Sequence, residues 1–466
     1  MFDFAVVGSG AGGSSIASLL SKKGYRVALF EKDTNLGGCS SSFKHKGYWY
    51  NTGATTLAGY EDGHVVKEVF DEIGLDPNLK ESELSMEVIH KGKITKRYRE
   101  LSKFVRELQK NYPSQKHEQF WNLVYRINQE FYQLKGYYYS NKNIIAKLFS
   151  LFSFLPFVIK FRKYLFISGE DFIKRCYGEV EQEYKEFLEA QVLIVAQAKL
   201  KEISFFTAAV ALAYTFNKNH HVAGGFKKLF EDLTKNVESV FKNTQVLNID
   251  KIGNYFELET AQEKFYAKKV ILNSTVYQSD QLFSKKRYKE EFERYKKLDN
   301  HQGTFVVYIT LKTDKKFDYH YQIIKEKCFT HAISNSVFIS FSDDFKDGYV
   351  SITASTHTNY RIWYDQYQSK KEKLQGEIAQ EIIQTFKLSK DEVVDLFSAT
   401  PLTFKRYINR EQVGGNPITM KNFLVKLPAN DTHIEGLYQV GDTTFAAQGW
   451  PGVMMGVKNL ARLLDV

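Results

Sequence analysis

The 466-residue chain is 43% hydrophobic, 15% aromatic and 25% charged, with 64 basic against 54 acidic residues and a formal net charge of +10 at pH 7. This composition excludes a disordered or fibrous chain, and a length of this order splits into two units with their own cores. Three cysteines, Cys39, Cys176 and Cys328, exclude an even disulfide framework and suit a reducing compartment.

In chain order, Phe4–Val7 predicts a strand that runs into Gly8-Ser9-Gly10-Ala11-Gly12-Gly13. Gly8 permits a tight turn, Gly10 a close approach to a pyrophosphate, and Gly13 the packing of the next helix on the strand. The helix N-terminus offers free N–H groups and a positive dipole end to phosphates. A second strand, Arg26–Phe30, ends at Glu31, eighteen residues beyond Gly13. Glu31 can accept both ribose hydroxyls of an adenosine, and its charge disfavours a 2′-phosphate. A lone glycine turn also serves simply to join a strand to a helix; here strand, helix, acid and spacing agree on a bound dinucleotide. A strand starting at residue 2 is read as leaving no room for a leader segment.

After Lys32 comes Asn35–Phe43, NLGGCSSSF, whose glycine pair Gly37-Gly38 and hydroxyl side chains suit a second wall around a pyrophosphate. Cys39 within it reads either as small buried filling or as a residue with a role beside the cofactor. Residues 76–219 turn helical, aromatic and charged, with Phe104, Leu108, Phe120, Leu123, Ile127 and Phe131 at helical spacing. Inside that stretch Leu148–Ile159 runs twelve residues without a charge, flanked by Lys142, Lys147, Lys160, Arg162 and Lys163. A membrane span needs about twenty apolar residues, and Pro156 interrupts this segment, so no transmembrane helix is expected. It is read as a buried helix or as an interfacial one, and the basic flanks favour membrane contact.

His220-His221 reads as a loop pair, either structural or an acid–base couple. Gly224-Gly225 opens a helix expected over Phe226–Val240, followed by strands at Thr244–Ile249 and Lys269–Asn273. Further strands are expected at Thr304–Leu311, Val337–Ser342 and Val350–Thr353. The C-terminal stretch Gly436–Asp442 reads as a buried strand ending in Gly441-Asp442, and Gln448–Gly456 opens a final helix. An aspartate there can hold a ribityl hydroxyl, while the helix N-terminus faces a flavin pyrimidine ring and stabilises negative charge on it. No Cys-x-x-Cys or His-x-x-x-His pattern supports a metal. Basic residues are scattered through segments such as 285–297 and 366–374, which reads as a solvated surface and not as a nucleic-acid module.

The segments GSGAGG, EKDTNLGGCSSSF, YWYNTGATTLAG at 48–59, TPLTFKRY at 400–407 and GLYQVGDTTFAAQGWPGV at 436–453 together resemble one family from end to end. It is the FAD-dependent phytoene desaturase, carotenoid isomerase and retinol saturase group of the amine-oxidase-like flavoproteins. The resemblance implies an α/β fold, with a Rossmann-like FAD-binding domain at 1–75, 220–285 and 406–466. A discontinuous α+β substrate domain at 76–219 and 286–405 would complete it. FAD is the implied cofactor, with Gly8, Gly10, Ala11, Gly12 and Gly13 around the pyrophosphate, Glu31 on the adenosine ribose, Val246 at the adenine and Gly441-Asp442 on the ribityl chain. Lys32, Gly38, Cys39, Gly452, Val453 and Met454 complete the expected contacts. Thr55, Thr56, Gln448 and Trp450 fall near the isoalloxazine by motif position, the threonines as partners of flavin carbonyls and Trp450 as a packing residue in the plainer reading. No residue is assigned as catalytic. The chain departs from the pattern at His220–Gly225, where relatives often carry a Pro-Lys-Gly-Gly turn, and at Asn51, where they often carry Asp.

The implied activity is hydride transfer between flavin N5 and a long apolar isoprenoid or polyene, in the manner of a desaturase or saturase. The alternatives are a flavin-dependent carotenoid-type isomerase, an amine-oxidase-like oxidase, and a non-catalytic lipid escort protein of the Rab escort or GDP-dissociation-inhibitor kind. Glu31, Gly441 and Asp442 speak against the last. With no second GxGxxG, reoxidation is expected from oxygen, a quinone or another diffusible acceptor. The expected partner is an apolar small molecule in a tunnel lined by the aromatics of 120–172, and the expected location cytoplasmic, peripheral on the inner membrane face through 148–159.

Overall fold

The computed structural model describes residues 1–134, 139–140, 142–342, 348–422, 427–446 and 448–466; Ala447 of the last motif and the side chain of Lys147 lie outside the described residues. The apolar run Phe4–Val7 forms the strand Phe2–Val7, flanked in parallel by Val27–Phe30 on one side and Lys264–Leu272 on the other. Parallel neighbours need a crossover, and the helix Ala11–Lys22 supplies it. All four residues of Val27–Phe30 are buried, as expected for a sheet covered on both faces. Ser239–Phe241 extends the sheet at one edge, Leu437–Gln439 pairs in parallel with Lys264–Leu272, and Tyr255–Thr260 and Val246–Ile252 continue it antiparallel. One face packs against the helices Ala11–Lys22, Val65–Ile73, Gly225–Thr234 and Gly449–Leu464.

A second seven-stranded sheet runs in the order Val393–Ala399, Gln302–Lys312, Tyr349–Asn359, Ser336–Ser342, His320–Ile324, Leu84–His90, Lys93–Tyr98. The helix Tyr367–Thr385 seals a core on it through Leu374, Ile378 and Ile382. Helices between Leu101 and Leu212 enclose an aromatic core around Phe104, Trp121, Phe187 and Phe205. Two further strand groups join the sheets: the hairpin of Ser42–His45 with Tyr48–Asn51, and Asn219–Val222 held between Leu57–Ala58 and Leu79–Glu81.

Four readings of the sequence change. The stretch 76–219 is not uniformly helical: Leu84–His90 and Lys93–Tyr98 are strands of the second sheet, with Met86, Val88 and His90 turned inward. The helix expected over Phe226–Val240 spans Gly225–Thr234, because β-branched Val237 and Val240 lead into the strand Ser239–Phe241. His220 and His221 are not on a loop; they lie buried in the strand Asn219–Val222.

Nor does Pro156 interrupt its segment. A continuous helix runs from Ile144 to Leu165 over 22 residues, long and apolar enough by length and composition to cross a membrane. Proline removes one donor, that of the carbonyl at Phe152, where the helix is open to solvent and the loss is least costly. Its two faces differ: Phe157 is buried against Phe131, Phe161 and Phe206, and Phe161 is buried beside it, while Leu148, Phe149, Leu151, Phe152 and Ile159 are exposed.

Candidate functional site

The glycine turn leaves the strand Phe2–Val7 through Gly8, at φ +99°, and delivers Gly10 as the N-cap of the first helix. That helix has no side-chain cap and no acid in its first turn, so its leading N–H groups and dipole end remain open to an anion. A Cβ on Gly13 would strike the Gly8 carbonyl, which is why helix and strand can lie this close. Beneath the turn sits Asn273, just past the strand Lys264–Leu272: a Cβ on Gly10 would meet its Nδ2 at 2.6 Å and one on Gly12 its Oδ1 at 2.9 Å. A Cβ on Gly441, at φ +121°, would meet the same Oδ1 at 3.1 Å, so Asn273 joins the N-terminal and C-terminal glycine segments. Sequence reasoning missed it; a polar residue directly after the apolar run Val270–Leu272 was the available signal.

Glu31 lies at the rim of this turn and is buried. Its Oε2 accepts from Ser9 N at 3.1 Å and Ser9 Oγ at 2.5 Å, and its Oε1 from Asp33 N at 2.9 Å. A carboxylate has about four lone-pair sites, so Glu31 keeps room for about one further donor unless Ser9 turns its hydroxyl away. Val246, the first residue of its strand, is buried, and the Thr244 N–H donates to the Glu31 carbonyl at 2.8 Å. Lys32 instead donates to the Arg406 carbonyl at 3.0 Å. The second glycine pair docks on the first turn: Gly37 bridges to Gly10 and donates to Ser9 Oγ at 3.2 Å, and Gly38 lies in the left-handed region at φ +56°.

At the C-terminal side Asp442 faces Arg410, whose Nη1 and Nη2 reach its two oxygens at 3.1 and 2.9 Å. Arg410 is buried and also donates to the Gly414 carbonyl. Burial pushes the Cys39 thiol up, against the opposing charge of this guanidinium. Arg410 thus ties its own loop to Asp442, 32 residues on, and nothing local in INREQ marks it. Gln448 Oε1 accepts from Gln197 Nε2 at 2.5 Å and from Gly415 N at 3.1 Å. Gly452, Val453 and Met454 lie buried in the first two turns of the final helix. Trp450 is a packing residue, set among Phe70, Phe226 and Phe230 in the core.

Thr55 and Thr56 bring the second sheet to this cradle. Thr55 Oγ1 lies 2.6 Å from Ser340 Oγ and Thr56 Oγ1 3.0 Å from His320 Nε2. Tyr214 hydrogen-bonds the same Thr56 hydroxyl, and burial pushes its phenol up to about 12. Burial likewise holds the His320 imidazole down to about 3, so it stays neutral at ordinary pH. His221 stacks on Tyr319 at 4.5 Å between ring centres, and burial lowers the His220 imidazole. The geometry therefore gathers Gly8–Gly13, Glu31, Gly38, Cys39, Gly441 and Asp442 along one rim, with neutral polar groups on the side of the second sheet, while Val246 packs in the core with Ala28 and Phe30.

The model of an NAD(P)-binding Rossmann-like domain matches residues 6–73. Prolycopene isomerase 1, chloroplastic, of an Oncidium hybrid cultivar is 24% identical over 509 residues, covering 100% of this chain and 86% of that protein. Over 71 residues, 15% of this chain and 12% of the relative, human all-trans-retinol 13,14-reductase is 37% identical. A 4,4'-diapophytoene desaturase of Staphylococcus haemolyticus is 40% identical over 70 residues, 15% of this chain and 13% of that one. Among solved structures, putrescine oxidase bound to putrescine superposes with a TM-score of 0.64 at 14% identity, covering 100% of this chain and 99% of that one.

Proposed function

We propose that this chain, a Rossmann-domain homologue of the prolycopene isomerases, retinol reductases and diapophytoene desaturases with the fold of amine-oxidase-like flavoenzymes, is an FAD-dependent oxidoreductase acting on a polyene. The observation that carries the reading is the joining of three separate segments, Gly8–Gly13, Glu31–Cys39 and Gly441–Asp442, into one extended rim around Asn273 and Ser9. Such a rim matches an extended dinucleotide and has no use in a simple strand–helix joint.

The residues fit FAD. The uncapped first turn of Ala11–Lys22 would take the diphosphate, Glu31 one ribose hydroxyl, and Asp442, whose lone pairs are only half used by Arg410, a ribityl hydroxyl. Lys32, held by the Arg406 carbonyl, would contribute charge near Glu31. When bound, the flavin supplies two-electron hydride chemistry. The protein's part is to hold the substrate against Thr55 and Thr56 and to exclude water there. Segments 1–75, 220–285 and 406–466 would hold the cofactor, and 76–219 and 286–405 the substrate.

A polyene has no polar handle, so recognition would fall to apolar and aromatic walls. An insoluble substrate also needs an entrance from a membrane. The exposed face of Ile144–Leu165 serves as one, together with Phe166 and Met420, both exposed beside Lys163, Arg175 and Lys201. This arrangement suits acyl chains below anionic headgroups.

The test is anaerobic mixing of the purified yellow protein with a polyene while the flavin spectrum is followed. Stoichiometric bleaching is expected for desaturation; unchanged flavin with a rearranged polyene would move the assignment to an isomerase. Protein that takes up no FAD, or flavin reduced by small amines and by no polyene, would overturn the reading.

A further inference from the structure

A pocket of about 560 Å³ lies where the hairpin Ser42–His45/Tyr48–Asn51 meets the first turn of the helix Gly225–Thr234. Its walls are largely apolar, formed by Trp49, Tyr50, Pro77, Val222 and Leu229. Its inner end is made of donors. The helix begins at Gly224, in the left-handed region at φ +78°, with no cap from that residue's side and no acid in its first turn, so its dipole end faces the pocket. The Lys227 N–H donates to Ser42 Oγ at 3.3 Å, and Ser42 Oγ donates in turn to Asn51 Oδ1 at 2.9 Å.

That second bond orients the Asn51 amide. The residue lines the pocket and is only 9% exposed, and its Nδ2 has no partner among the described residues. That donor opens into the pocket and is free to take an acceptor seated there. The pocket's two acids, Glu231 and Asp232, are held by i,i+4 pairs with Lys227, at 3.5 Å, and Lys228. Those four charges cancel, and what remains is a half-charge helix end plus neutral donors. That remainder matches a single negative charge better than a phosphate dianion. Lys227 Nζ also sits 4.7 Å over the Trp49 ring, bridging the donor end to the apolar wall.

We propose that this pocket binds a long-chain carboxylate, the acid on the Asn51 amide and the opening N–H groups of Gly225–Thr234, the chain along Trp49, Tyr50 and Leu229. The pocket shares no lining residue with the dinucleotide cradle, and the proposal does not depend on the activity proposed above. The test titrates the full-length protein with oleate, oleyl alcohol and inorganic phosphate by calorimetry, below the micellar concentration of each lipid. Oleate is expected to bind at least tenfold more tightly than oleyl alcohol. Asn51→Asp, which replaces the donor with a like charge facing the ligand's carboxylate, should abolish that preference and leave the alcohol unchanged. Trp49→Ala, on the half-buried hairpin, should weaken both lipids and serves as the second variant if Asn51→Asp does not fold. Equal affinity for acid and alcohol, oleate binding untouched by either variant, or inorganic phosphate binding as tightly as oleate would overturn the proposal.

Discussion

Replacing Phe149 and Phe152 by serine separates the two faces of the helix Ile144–Leu165. Phe152 is 67% exposed and Phe149 55%, whereas Phe157 is 9% exposed and packs on Phe131, Phe161 and Phe206. Full burial of a phenylalanine is worth about 1.5–3 kcal/mol, so covering the open fractions of Phe149 and Phe152 with acyl chains stabilises the bound state by about 2–4 kcal/mol. The double variant should therefore partition onto anionic liposomes about 30- to 700-fold more weakly, with unchanged thermal stability and flavin content. Phe157→Ser should behave in the opposite way, losing about 3–5 kcal/mol of folding stability as a buried aromatic removed from a core. Liposome co-sedimentation, with thermal unfolding of the same samples, reads both effects. Wild-type protein that stays in the supernatant, or a double variant that sediments like wild type, would refute the argument and leave the exposed face for another partner.

Glu31→Gln keeps the shape but removes charge from acceptors of Ser9 and Asp33, and a hydrogen bond to a charged group is worth about 1.5–3 kcal/mol; FAD release followed by flavin fluorescence should rise about 10- to 100-fold. Arg410→Met leaves the partly exposed Asp442 without its partner, so folding stability measured in urea should fall by about 1–3 kcal/mol, and an unchanged midpoint would refute the role given to the pair. His320 is held down to about 3 by burial, so below pH 6.5 the unfolded chain binds a proton the folded one refuses. Stability should then drop as pH falls from about 6.5 towards 4, and His320→Gln should flatten the slope by about 1.4 kcal/mol per pH unit.

The sequence alone determined the N-terminal half of the cradle, because its physics is local. The turn at Gly8–Gly13 has one steric solution between a strand and a helix, and Glu31 follows at a distance that the helix length sets. The final strand and helix around Gly441 and Gly449 were legible for the same reason. The strands Leu84–His90 and Lys93–Tyr98 were not, since their alternation is interrupted by charged residues whose exposure depends on which neighbour they pair with. Pro156 was misjudged because the cost of a lost donor depends on whether its carbonyl partner meets solvent, a fact of packing. Only the tertiary structure placed Asn273 under both glycine segments, Arg410 against Asp442, and His320 on Thr56, 264 residues away in sequence. Each of these contacts joins groups whose separation along the chain carries no periodic signal. Their meeting is decided by how the two sheets close on one another.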